Sequence, residues 1–164
     1  MSRFTDVDPD TKKMINEVIS KDFSHLAQAK IKMIFDQKKR KSGGRYQLGK
    51  MQKTNDLIRY LTAREVGEAE GFDYLMYIDE NVFEVLDQSD KIRLVRHLLQ
   101  YADIDYEAEL PFKIRKEEVI TWYDELEFNK DDPKWFERLE VIAESIYNQE
   151  PDENDLTKET EPTA

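Results

Sequence analysis

The chain contains no cysteine and only two histidines, His25 and His97. Without cysteine there is neither a disulfide framework nor a thiolate metal site, and nothing in the composition points to secretion. A proton relay built on histidine would have few members to draw on. Glycine and proline are scarce, five of each in 164 residues. No phosphate loop of the GxxxxGK[ST] or GxGxxG type occurs, and Ser42-Gly43-Gly44 is too short to count as either. Nucleophile elbows and internal repeats are absent. No apolar run approaches the roughly 18 residues that span a bilayer. The opening MSRFTDVDPD is polar and acidic, unlike a basic segment leading into an apolar one. The expectation is a soluble, cytoplasmic protein without a membrane partner.

What the chain has in abundance is charge, with 36 Asp+Glu against 25 Lys+Arg for a net −11. The sign is unevenly spread. Met1 to Tyr60 carries 14 Lys+Arg against 7 Asp+Glu, and the remainder carries 11 against 29. Such a split can make a bipolar surface that steers a partner, or the two halves can lie side by side and neutralise each other. The length suits one domain that buries a core without covalent staples. The expected organisation is a single domain over residues 1–148 and a disordered acidic tail over residues 149–164, where QEPDENDLTKETEPTA has almost nothing apolar.

Periodicity gives an α+β reading. Pro9 near a first turn, followed by Met14, Ile15, Val18 and Ile19, predicts a helix. Alternation of Ala27, Ala29, Ile31, Met33 and Phe35 against Gln28, Lys30 and Lys32 predicts a half-buried strand. The run KKRKSGGRYQLGKMQ then predicts a turn at Ser42 to Gly44 leading into a second strand, the pair forming a hairpin with a basic tip. Asn55 starts a helical stretch that ends near Gly67. Phe72 to Ile78 reads as a strand, Asp79 to Asn81 as a turn, and Asp90 to Ala102 as a helix. ADIDYEAELPFKI reads as extended around Pro111. Two further helices follow, one with Val119, Ile120, Trp122, Tyr123 and Leu126 on its apolar face, the other with Trp135, Phe136, Leu139, Ile142, Ala143 and Ile146.

The helix DKIRLVRHLLQYA carries the one motif-like frame. A zinc peptidase of the HExxH type needs two histidines at i and i+4 to hold the metal and the intervening glutamate as general base. Here the frame is His97, Leu98, Leu99, Gln100, Tyr101. The first ligand is present, leucine stands in place of the base, and tyrosine in place of the second ligand. Taken with the preceding basic hairpin and strand and the following aromatic helices, this order of parts over roughly Asp22 to Ile146 resembles the putative phage metallopeptidase family, a small zincin-like group.

That resemblance implies a small zincin-like α+β domain. Its short antiparallel or mixed sheet, with the basic hairpin, would pack on helices that include the motif helix. Only His97 matches a family metal ligand. The family's downstream polar cluster falls near Arg115, Lys116, Glu117 and Glu118, from which Glu117 or Glu118 could supply a third. The resemblance implies a phage or prophage protein in the host cytoplasm that has lost peptide hydrolysis and no longer carries a cofactor. It would act as a binding module for a host or phage protein. A second reading keeps a zinc-dependent peptidase with rearranged ligands drawn from His97, Asp103, Asp105, Glu117 and Glu118. A third makes the chain a nucleic-acid-associated protein acting through Lys38, Lys39, Arg40, Lys41 and Arg45, or an acidic mimic of DNA. Each has a plain structural counterpart: His97 among Leu94, Leu98 and Tyr101 is also the pattern of a core histidine, acids after a helix end are commonly solvated, and a basic turn suits a solvated hairpin. His25 carries no motif.

Overall fold

A computed structural model describes residues 2–115 and 123–148. The chain runs β1 (Phe4–Asp6), α1 (Pro9–Asp22), a single 3-10 turn (Ser24–Leu26), β2 (Ile31–Asp36), β3 (Lys41–Ser42), β4 (Arg45–Tyr46), β5 (Gly49–Lys53) and α2 (Asp56–Val66). It continues through β6 (Tyr74–Asp79), α3 (Glu80–Phe83), α4 (Gln88–Leu99), β7 (Ala102–Ile104), β8 (Phe112–Ile114), α5 (Tyr123–Phe128) and α6 (Trp135–Tyr147). The α+β reading holds. Among the described residues no helix is long and apolar enough to cross a membrane. The expected acidic tail, and Val119, Ile120 and Trp122, lie outside the described residues.

The main sheet has the order β1-β2-β6-β5, with β2 and β6 parallel and both outer pairings antiparallel. This corrects one expectation. The strands on either side of the basic turn are not partners, because β6 inserts between β2 and β5. The hairpin proper is the two-residue pairing of β3 with β4, closed by Gly43 and Gly44 at φ 59° and 79°. Both central residues of such a turn need positive φ, which glycine adopts without penalty. The strand predicted from Ala27 begins only at Ile31, because the preceding residues form the 3-10 turn.

Register explains the core. Ile31, Met33 and Phe35 lie opposite Tyr74, Met76 and Ile78, and Met51 lies opposite Met76. All share one face of the sheet, and Tyr74, Met76 and Ile78 are fully buried there. Each such side chain contributes about 1.5–3 kcal/mol of burial. Gly49 sits on the same face at the sheet edge, opposite Ile78. A Cβ there would lie 2.6 Å from Leu98 Cδ1 and 2.7 Å from the Tyr77 carbonyl. The missing side chain therefore lets α4 pack directly on β5.

Capping sets where the helices start. Asp8 accepts from the Thr11 amide at α1, and Asp87 from the Asp90 amide at α4. α4 is shorter than predicted and ends at Leu99, so Tyr101 and Ala102 lie beyond it. Asp79, expected in a turn, caps the short α3. Arg96 pairs with Asp22 at 3.0 Å and ties α4 to α1. Buried Asp90 accepts from Arg138 at 2.6 and 2.9 Å and from Arg93 at 3.1 Å, which anchors α6 against α4. On α6, Trp135, Leu139 and Ala143 are buried as expected. Leu126 departs from its expected place on an apolar helix face and is 52% exposed, because α5 turns Glu125 inward instead.

Candidate functional site around His97

His97 leaves the last turn of α4 between two cavities. One, of about 390 Å³, lies between α5 and α6 and is lined by His97, Glu125, Leu126, Asn129, Pro133, Trp135, Phe136, Glu137, Glu140 and Arg45. The other, of about 320 Å³, lies under residues 46–49 and is lined by Leu94, His97, Leu98, Tyr101, Phe136 and Glu140 among others. The three motif positions thus face one cleft against the sheet edge. The rings of His97 and Tyr101 meet edge-on with centroids 5.6 Å apart, and Leu98 is 1% exposed beneath them.

The His97 side chain has a partner the sequence did not suggest. Its Nδ1 lies 2.9 Å from Glu125 Oε1 and 3.1 Å from Oε2. With Glu125 as a carboxylate, which only accepts, the Nδ1–H donates and the ring orientation is set. Glu125 is buried, at 2% exposure. Trp135 and Phe136 close the aromatic surround, their ring centroids 6.2 and 5.5 Å from that of the imidazole. No signal on α5 singles out Glu125, since Asp124 and Glu127 flank it on the same short helix. Its pairing with His97 spans 28 residues and leaves no local pattern.

The other predicted site residues are dispersed. Asp103 and Asp105 are exposed on and after β7, line neither cavity, and Asp105 accepts from the Glu107 amide. Arg115 donates to Gln100 at 2.8 Å. Lys116, Glu117 and Glu118 lie outside the described residues. Among the described residues no group of three His, Cys, Asp or Glu side chains is placed to hold a metal ion. His25 is exposed beside Phe23.

The basic hairpin is turned largely onto its own protein. Arg40 donates to Asp36 at 2.6 Å and lies over the Tyr77 ring. Lys41 sits over Tyr46. Arg45 Nη1 approaches Glu140 Oε1 at 3.6 Å. Lys38 is exposed and Lys39 half-buried. Asp36 is nearly fully buried, and burial alone would raise its pKa. Hydrogen bonds from Arg3 and Arg40 outweigh that and hold the carboxyl down at about 2.

A small α+β domain with a histidine-bearing helix laid along a sheet edge defines the class. The family model for the putative phage metallopeptidase matches residues 3–147, and the chain belongs to that family. No curated protein and no solved structure matches it.

Proposed function

We propose that this chain is a non-catalytic member of the family, which retains the fold as a binding module for a phage or host protein. The observation that carries the reading is Leu98. On the family resemblance it stands where the general base is expected; it is 1% exposed and packs against the space left by Gly49. An aliphatic side chain neither deprotonates water nor coordinates zinc. The same resemblance sets Tyr101 where the second histidine is expected.

The family name implies a metal, so the donors must be compared with what zinc requires. A catalytic zinc needs three protein ligands and an open position. Among the described residues His97 and Glu125 are hydrogen-bonded to each other, and no group of three His, Cys, Asp or Glu side chains is placed to hold a metal ion. The described set does not fit a zinc centre. The nucleic-acid reading draws less support, since Arg40 pairs with buried Asp36 and Lys41 lies over Tyr46.

The test is peptide hydrolysis by the purified protein with added zinc. The expected result is no turnover that a chelator removes. Chelator-sensitive turnover that His97→Ala abolishes would contradict the reading.

A further inference from the structure

The cavity between α5 and α6 contains polar groups that the fold itself does not use. Asn129 is 3% exposed, lines the cavity, and neither its Nδ2 nor its Oδ1 finds a hydrogen-bond partner among the described residues. Glu140 Oε1 is likewise buried without a hydrogen bond, its nearest cation, Arg45, standing at 3.6 Å. That distance is within reach of an ion pair but beyond a hydrogen bond. A buried amide with both ends unpaired destabilises the fold, a cost that a bound ligand would remove. The walls add Trp135 and Phe136, and the lining carries three carboxylates, Glu125, Glu137 and Glu140, against one guanidinium, Arg45.

Resting on the binding-module reading, we propose that this cavity receives an arginine side chain of the partner protein. A guanidinium is planar, stacks on aromatic faces and presents a fork of donors to a carboxylate. Glu140 supplies the acceptor for the fork, Asn129 Oδ1 a further acceptor, and Trp135 and Phe136 the stacking surface. An ammonium would meet the charge but not the planar stack. Arg45, 68% exposed on the hairpin, already lies at the mouth with its guanidinium toward Glu140. It occupies the edge of the site loosely and competes with the incoming group.

The test titrates N-acetyl-arginine amide into the full chain in the presence of a chelator, following the Trp135 indole resonance by NMR. The lysine and citrulline analogues serve as controls. Saturable binding is expected in the millimolar range, as suits a single side chain. Glu140→Gln should weaken it about tenfold, Asn129→Leu should weaken it in the same direction, and Arg45→Ala should strengthen it. Citrulline should not bind. No saturable binding to the wild-type chain or to Arg45→Ala would overturn the proposal. So would equal binding of citrulline, or folded Glu140→Gln and Asn129→Leu proteins that bind within twofold of wild type. Because the wild-type titration decides on its own, a variant that fails to fold leaves the test intact. The chelator separates this outcome from that of the hydrolysis assay: absent arginine binding sinks the cavity assignment alone, and chelator-sensitive turnover sinks the non-catalytic reading alone.

Discussion

His97 Nδ1 and Glu125 Oε1 lie 2.9 Å apart and join α4 to α5 across 28 residues of sequence. A carboxylate in this position orients an imidazole, as the outer partners of metal-bound histidines do. Here the pair also closes the wall of an aromatic cavity, so its first consequence is structural. Glu125→Gln and His97→Ala should each destabilise the fold, and the double variant should be less destabilised than the sum, with a coupling of about 1–3 kcal/mol. Urea denaturation of the four proteins measures it. Additive effects would mean that the contact contributes nothing.

Leu98 and Tyr101 give a prediction of opposite sign under two conditions. Leu98→Glu alone places a carboxylate in the core beneath His97 and should cost on the order of 3 kcal/mol. Combined with Tyr101→His, it restores the HExxH letters across the last turn of α4 and the residues just after it. The double variant should gain a zinc-dependent rise in Tm. A folded double variant with no response to zinc would count against the zincin-like arrangement.

Gly49→Ala probes the close approach of β5 and α4. The added methyl would meet Leu98 Cδ1 at 2.6 Å and the Tyr77 carbonyl at 2.7 Å. Backbone on one side prevents relief by rotation alone, so a loss of about 1–3 kcal/mol is expected in thermal denaturation. Pairing it with Leu98→Ala should recover part of the loss. Unchanged stability of the single variant would show that the strand moves freely.

The Asp36 carboxyl, held at about 2 by Arg3 and Arg40, makes stability fall on the acid side. Its folded pKa lies below the ordinary value of 3.8, so between those two values the unfolded chain binds more protons and acid favours unfolding. The contribution is complete above about pH 4 and is lost as pH falls toward 2, amounting to roughly 2 kcal/mol. Asp36→Asn should flatten that part of the stability profile. An unaltered profile would show that the two arginines do not hold the carboxyl.

Much of the fold was legible because it rests on local patterns. The spacing of Ile15, Val18 and Ile19, the alternation through Met33 and Phe35, and the stripe from Trp135 to Ala143 each bury as their periods require. Sheet order was not legible, since the parallel pairing of β2 with β6 depends on chain segments about forty residues apart. The family was legible from the order of parts around His97. Glu125, Asn129 and Glu140 were missed because they converge only in space. Asp103 and Asp105 stand near His97 in sequence, yet the turn after α4 carries them away from both cavities.

The most direct test of the non-catalytic account is zinc per chain, by elemental analysis of protein purified without an affinity tag, beside His97→Ala. The account predicts that wild type and variant carry the same substoichiometric amount. About one zinc per wild-type chain, lost in His97→Ala, would contradict it.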